Sequence, residues 1–438
     1  MMTTQHYEGS RANGSNRDTD ELVRRKPWIG PLYWIMAAVY YGPVRVTGRE
    51  NLPLGGALVA SNHRSGGADG VILTAVDRRW TLMVGANLAR HPLMRYIVDG
   101  LVVERTTERV KQSPVKQAQS AAANQRALER AAAFVAKGGQ LCVFPEGTSS
   151  FGPKLLPLHP GIAAIYLRQR AMGGYAPLIP VTIHYPDRAA FRGPVEVIIG
   201  APIEVPSDPN ATPKEARRAI LERLQTALEA ISVNARDEDE QRAIEGLATL
   251  ATTGTGRSHG ALCRALARRA ADDATAEHLI TNWHRLPGQT EERKLARFAG
   301  VPLYPEGSLM VAALKTIIFI PLILAAAIVN LPIILAAYGA ARRLADDENV
   351  VALWRLLAGL AASCIWWLML VIGAMLIMGA ARGTMAIIGA ALITALGLHV
   401  WRPWRLAVVA TFNAMRSPDL SKPVRELREA TLRWYDSQ

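Results

Sequence analysis

The segment Ser61-Asn62-His63-Arg64-Ser65-Gly66-Gly67-Ala68-Asp69 contains the residue types of a proton-transfer site. An imidazole can take a proton from an attacking hydroxyl through one ring nitrogen. A nearby carboxylate can hold the other nitrogen and stabilise the imidazolium that forms. The segment follows the apolar run Gly56–Ser61, so it falls at the C-terminal end of a buried strand, where α/β sheets place their sites. No nucleophilic serine is needed if a second substrate brings the hydroxyl. The structural alternative is a loop histidine beside an aspartate that caps a helix. A second polar turn, Val143-Phe144-Pro145-Glu146-Gly147-Thr148-Ser149-Ser150, also ends an apolar strand. Glu146 could hydrogen-bond acceptor hydroxyls, and the backbone N–H groups around Gly147 and Thr148 could meet a phosphate. The Pro-Glu-Gly tripeptide alone is weak, because Pro305-Glu306-Gly307-Ser308 repeats it with no apolar strand in front.

Two further runs end or begin strands. Val102-Val103-Glu104-Arg105 closes on a cation that could clamp a phosphate or simply lie on the surface. Leu178-Ile179-Pro180-Val181-Thr182 could line an acyl channel or be core. No Gly-x-Ser-x-Gly elbow occurs, which speaks against a serine hydrolase. Cys142, Cys263 and Cys364 fit no metal knuckle and cannot all pair, so they read as buried free thiols in a reducing compartment.

These runs need a scaffold. Strand-like segments at 56–61, 81–84, 101–104, 141–144, 177–184 and 195–200 alternate with helical ones. The clearest of the helices is the Ala- and Gln-rich stretch 115–137, stopped by Gly138-Gly139. The expected fold is therefore α/β. With 438 residues, the chain should divide into several units. Residues 1–22 read as a polar, disordered tail without a secretory leader. Residues 23–44 carry Arg24-Arg25-Lys26 and then Trp28, Tyr33, Trp34, Tyr40 and Tyr41, the pattern of an interfacial membrane helix or of a core helix. A catalytic domain follows over 45–212 and a helical extension over 213–305. Membrane-embedded helices are expected over 306–402, and a C-terminal amphipathic helix or tail over 403–438.

The net charge of +13 favours an anionic lipid surface as partner over nucleic acid, because no basic run interleaves with aromatics. The apolar segments 309–340, 356–381 and 384–400 are long enough for a bilayer. Excess cation in Arg342-Arg343, Arg355 and the C-terminal tail should share the cytoplasmic side. That is met if 309–340 forms a re-entrant hairpin bent near Asn330-Leu331-Pro332 and the next two segments form a hairpin through Arg382-Gly383. Three full spans are the alternative. The expected location is an integral membrane protein with its catalytic domain on the cytoplasmic face.

Taken in order, Asn62-His63…Asp69, Val103-Glu104-Arg105, Phe144-Pro145-Glu146-Gly147 and Ile179-Pro180-Val181 resemble the motifs of the glycerolipid acyltransferases, the superfamily of glycerol-3-phosphate and lysophosphatidate acyltransferases. The lead-in Val46–Pro53 is similar to that family's opening strand, and the resemblance covers roughly residues 40–205. It implies a mixed sheet flanked by helices. It implies His63 as general base with Asp69 orienting it, Glu146 and Gly147 on the acceptor, Arg105 on its phosphate, and Pro180 on the acyl-donor side. The donor would be acyl-CoA or acyl carrier protein, with no metal or prosthetic group. Two departures stand out. Five residues separate His63 from Asp69 where four are commoner, and the Gly66-Gly67 pair could absorb the extra one. Ser149 stands where many members carry arginine, so Arg64, Arg105 or Lys154 would have to supply the phosphate contact. In its spacing and its C-terminal apolar segments the chain resembles the fungal-type glycerol-3-phosphate and dihydroxyacetone-phosphate acyltransferases. The implied reaction is acyl transfer onto glycerol 3-phosphate or its 1-acyl derivative in phospholipid biosynthesis. A remodelling enzyme acting on lysophospholipids is a neighbouring reading. A catalytically silent lipid-binding protein is a reading from another class. The membrane region could anchor the enzyme, receive the lipid product or mediate homo-oligomers.

Overall fold

The computed structural model of the chain describes residues 26–86, 94–103, 114–205, 210–269 and 273–438. The expected tail 1–22, Arg24, Arg25, Glu104 and Arg105 lie outside the described residues.

Seven strands form one sheet: β1 (Val44–Thr47), β2 (Ala57–Ser61), β3 (Trp80–Gly85), β4 (Leu101–Val103), β5 (Gln140–Val143), β6 (Leu178–His184) and β7 (Val195–Ile199), in the order β1-β7-β6-β2-β5-β3-β4. The central strand β2 is buried at every residue, and Val59 lies between Cys142 on one side and Ile179 on the other. Such continuous apolar runs, rather than alternating ones, are what a parallel sheet covered on both faces requires. Strands β2 to β6 run parallel where they pair, β7 runs antiparallel to β6, and β1 runs parallel to β7. The starts of β1 and β7 therefore lie at the same end of the sheet as the ends of β2 and β6. Everything of chemical interest gathers at that end.

One face of the sheet is covered by α1 (Ile29–Tyr40) and α2 (Gly67–Val76). The other is covered by α3 (Pro114–Ala136), α4 (Gly161–Ala171) and α5 (Pro213–Ile231). Helix α1 buries Ile29, Tyr33, Met36, Ala37 and Tyr40, while Trp34, Ile35 and Val39 stay exposed on its other side. It thus serves as a core helix on one face and offers an apolar, aromatic face on the other. Thr212-Pro213-Lys214-Glu215 starts α5 with a full capping box and proline in the first turn.

The domain limits differ from the sequence reading. Helix α5 places Ile220, Leu224 and Leu228 at zero exposure in the catalytic core, so that core extends to about residue 231 rather than 212. Composition alone could not assign an Ala- and Arg-rich helix to either neighbour. The helical extension comprises α6 (Glu238–Thr252), α7 (His259–Ala267) and α8 (Ala274–Glu292), and it shares its core with the chain's last helix, α13 (Ser421–Asp436). The C-terminal segment is therefore a buried partner, through Val424, Leu427 and Trp434, and not a separate tail.

Between these lie α9 (Leu309–Val329), α10 (Leu331–Leu344), α11 (Val351–Met378) and α12 (Ala380–Arg416). Three of the four, α9, α11 and α12, are long and apolar enough to cross a membrane. Ile317, Ile318, Leu368, Leu376 and Ile377 stay exposed on them, as a lipid-facing surface would have it. Helix α9 runs antiparallel to α12: Trp404 Nε1 donates to Thr316 O, Ala326 packs on Gly397, and Asn330 Nδ2 donates to Thr394 Oγ1. The chain bends at Asn330, and α10 returns along α11. Trp366 Nε1 donates to Val329 O, Ala337 packs beside Gly359, and the Arg355 guanidinium lies 4.3 Å from the Tyr338 ring centre. Helices α9 and α10 thus form a splayed hairpin against the α11–α12 hairpin. The second turn falls at Gly379, with φ of 75°, and not at Arg382-Gly383. Gly383 instead lets the two helices approach, since a Cβ there would sit 2.8 Å from Ala374 O. Nor does the apolar segment end at 402, because α12 continues through Pro403 to Arg416.

This path puts the α10–α11 loop and the end of α12 at one end and Gly379 at the other. In a Cys364→Ser background reconstituted in vesicles, single cysteines at Ala345 and Ser437 should react with an impermeant maleimide from one side, and one at Gly379 from the opposite side. Labelling of all three from the same side would contradict the arrangement.

Candidate active site

The carboxylate of Asp69 has zero exposure and accepts four hydrogen bonds. Its Oδ2 takes His63 Nδ1, Arg64 N and Ser65 N, each at 2.8 Å, and its Oδ1 takes the Tyr185 hydroxyl at 2.8 Å. With Nδ1 facing the carboxylate, the imidazole carries its proton there and leaves Nε2 as the basic nitrogen. Nε2 has no hydrogen-bond partner among the described residues. The ring stacks on Phe144 at 4.1 Å between centroids, which fixes its plane.

The extra residue between His63 and Asp69 is taken up at Gly66, whose φ of 52° and ψ of −135° lie in a region open to glycine. Helix α2 starts immediately after it, so Asp69 sits in the first turn, pointing its carboxylate at the strand end. Asn62 holds the loop's root by exchanging both hydrogen bonds of its amide with the backbone of Ile183 on β6, at 3.1 and 2.7 Å.

Glu146 is buried, and both its oxygens are taken by the chain itself. Oε1 accepts His63 N at 2.8 Å and Oε2 accepts Leu156 N at 2.9 Å. Ser150 N donates to His63 O at 2.9 Å, so the two polar turns are stitched together. The residue expected to meet acceptor hydroxyls therefore acts first as a brace. Gly147, with φ of 72°, passes so close to His159 that a Cβ would lie 2.6 Å from its ring. Arg64 is buried too, and its guanidinium donates to Ser150 O at 3.2 Å and Gly152 O at 2.8 Å. Burial holds its pKa below the usual range, with Glu146, Glu245 and Asp69 opposing that effect. Thr148 is exposed at the turn, and Lys154 is exposed without a partner among the described residues. Pro180 is buried in β6 opposite Ala60, within the sheet.

Several site residues carried no sequence signal beyond position. Tyr185 follows β6 directly, and burial followed by the Asp69 charge pushes its hydroxyl well above the usual range, keeping it a donor. Helix α11 reaches the site through Leu353, which lies 2.8 Å from where a Gly67 Cβ would be, and Asn349 O lies 3.0 Å from that of Gly66. Arg188 fastens the same loop, donating to Asn349 Oδ1 and Glu348 Oε2 while stacking on Phe151. The apolar bundle is thus seated directly on the His63 loop. His184, His259 and Cys263 are the one group of potential metal ligands among the described residues. They already form a hydrogen-bonded chain: His184 Nε2 meets His259 Nδ1 at 2.7 Å, and His259 Nε2 meets Thr249 Oγ1 at 2.9 Å.

Residues 43–184 match the family model described as Acyltransferase, a stretch that contains all four motifs and the strands β1 to β6. The match supports an acyltransferase domain over this stretch, which is also the one that carries the buried His63–Asp69 pair. The matched stretch is less than half of the chain, and its motifs, in that order, are similar to those of the glycerolipid acyltransferases. Among solved structures it is similar to the 1-acyl-sn-glycerophosphate (LPA) acyltransferase PlsC from Thermotoga maritima, at 20% identity and a TM-score of 0.33, over 46% of this chain and 77% of that one. No curated protein matches the chain.

Glu245 beside Arg64 gives a pH test. Burial pushes its pKa from 4.5 up to about 7, against the pull of Gln241, Arg64 and Arg188. The folded chain keeps this proton where the unfolded chain has lost it, so stability falls as pH rises from 4.5 towards 7. Glu245→Gln removes that loss. The variant should exceed the parent in stability at pH 8 by roughly 1–3 kcal/mol, and by much less at pH 5, in thermal unfolding in detergent. An equal gap at both pH values would contradict the assignment.

Proposed function

We propose that the chain transfers a fatty acyl group from acyl-CoA or acyl carrier protein onto a hydroxyl of a glycerol-phosphate-type acceptor, glycerol 3-phosphate or 1-acylglycerol 3-phosphate. The carrying observation is the His63–Asp69 contact at 2.8 Å with Nε2 unengaged, at the strand end covered by the apolar helices. In this reading the acceptor O–H gives its proton to His63 Nε2 as the oxygen attacks the thioester carbonyl. Asp69 stabilises the imidazolium. The tetrahedral oxyanion then collapses, the C–S bond breaks, and the departing thiolate takes the proton from Nε2. The products are an ester and a free thiol. A membrane location fits an acyl donor or product that is itself an amphiphile.

A second reading, acylation of a lysophospholipid without a terminal phosphate, is favoured by one observation. Arg64, which could replace the arginine missing at Ser149, is buried and turns its Nη1 to two backbone carbonyls.

Purified protein in detergent, given acyl-CoA, should release thiol only when an acceptor is present. Glycerol 3-phosphate, lysophosphatidate and lysophosphatidylcholine run in parallel would rank the acceptors. His63→Ala should lower the rate by about 10²–10⁴-fold. Failure to release thiol with any acceptor, from acyl-CoA and from acyl carrier protein alike, would refute acyl transfer and leave the lipid-binding reading.

A further inference from the structure

A cavity of about 620 Å³ opens at the same end of the sheet as His63, but at its β1–β7 edge, and contains none of the residues of the His63 or Glu146 turns. With β6 and β7 between β2 and β1, its strand wall lies on the order of 10–15 Å to the side of His63. The other wall is the last part of α12. Five arginines line it, Arg45, Arg192, Arg257, Arg402 and Arg405, against two carboxylates, Asp187 and Glu196.

The carboxylates do not neutralise these cations. Glu196 accepts hydrogen bonds from Ser258 Oγ, His259 N and Gly260 N, and Asp187 from Ala189 N. Three of the arginines have fixed duties: Arg45 donates to Gly256 O, Arg192 to Ala38 O, and Arg257 pairs with Asp436. Arg405 lies 5.1 Å from the centre of the Phe298 ring. Arg402 has nothing: its guanidinium meets no hydrogen-bond or ion-pair partner among the described residues, and its Nε is buried and unsatisfied. It is electrostatically opposed by Arg45, and in turn its charge, after burial, holds the pKa of Arg192 below the usual range. The adjacent Trp401 Nε1–H is likewise buried without an acceptor. A half-buried cation beside like charges, with no ion-pair partner among the described residues, is unfavourable as it stands. A guanidinium only donates, so what completes Arg402 is an anion rich in acceptor oxygens.

Position identifies the anion further. Trp401-Arg402-Pro403-Trp404-Arg405 lies on an apolar helix where that helix meets the catalytic domain, and Trp and Arg at such a junction mark the headgroup level of a bilayer. We propose that this cleft binds the phosphate of an anionic membrane lipid headgroup, held by Arg402 with Arg192 and Arg45, and that it is a site separate from the acyl-transfer centre. The lipid would lock α12 against the β1–β7 edge.

The test is thermal unfolding of the full chain in neutral detergent, with phosphatidylglycerol, phosphatidylcholine or adenosine 3′,5′-bisphosphate added. Phosphatidylglycerol should raise the midpoint of the parent protein by several degrees, and phosphatidylcholine and the soluble phosphate should not. Arg402→Gln should raise the midpoint without lipid, since it removes an unpaired charge, and should abolish the phosphatidylglycerol shift. Arg433→Gln, on an exposed face of α13, should keep the full shift. A lowered lipid-free midpoint for Arg402→Gln would make the residue structural and overturn the proposal. An undiminished shift in that variant, or a shift produced by the soluble bisphosphate instead of the lipid, would overturn it too.

Discussion

A carboxylate removed from water is tolerable only when its lone pairs are filled, and Asp69 shows what that demands of the rest of the fold. Its four donors come from three places: the His63 ring, the backbone of the loop that carries it, and a tyrosine on the neighbouring strand. The loop must leave β2 and turn at once into α2, which is why glycine stands at the one residue with φ of 52°. Tyr185 must follow β6 directly beside the end of β2, which the parallel pairing of Val59 with Ile179 secures. Glu146, Asn62 and Arg64 then fix the loop from outside by bonding its backbone or that of its neighbours. Of the His63 ring nitrogens, Nδ1 is taken by Asp69 and Nε2 keeps no hydrogen-bond partner among the described residues.

The second constraint is the seating of the apolar helices on that loop. Leu353 of α11 packs on Gly67, Asn349 O packs on Gly66, and Arg188, just beyond β6, bonds Glu348 and Asn349 in the turn before α11. Arg355 adds a bond to Ala189 O. A bilayer around α9, α11 and α12 would therefore fix the height and tilt of the catalytic domain, and with it the direction from which an amphiphile reaches His63.

How much of this the sequence discloses depends on the range of the interaction. Local signals were legible: the β2 and β5 runs, the helix after Pro114, the bend at Asn330, and the role of the Gly66-Gly67 pair in a lengthened His–Asp spacing. Long-range ones were not. Helix α5 looks like part of the extension that follows it, because amphipathic periodicity does not say which core receives the apolar face. The amphipathic C-terminal helix is readable in sequence, but its seat against α6 to α8 through Trp434 is not. Glu146 is recognisable as important, yet only the fold shows that its oxygens serve the His63 and Leu156 amides. Tyr185 could not be assigned from sequence, since its partner is 116 residues away. Arg105 lies outside the described residues, and its expected phosphate contact stays an implication of the motif order.

The most direct test of the central claim is a double-mutant cycle on the pair itself, measuring acyl-transfer kcat/KM for His63→Ala, Asp69→Asn and the combined variant. Groups that act as one unit give losses that do not add. Each single change should lower the rate by about 10²–10⁴-fold, and the combined variant should be no slower than His63→Ala within roughly threefold. Losses that multiply would mean that Asp69 serves the fold alone, and the His63–Asp69 pair would not be the base of the reaction.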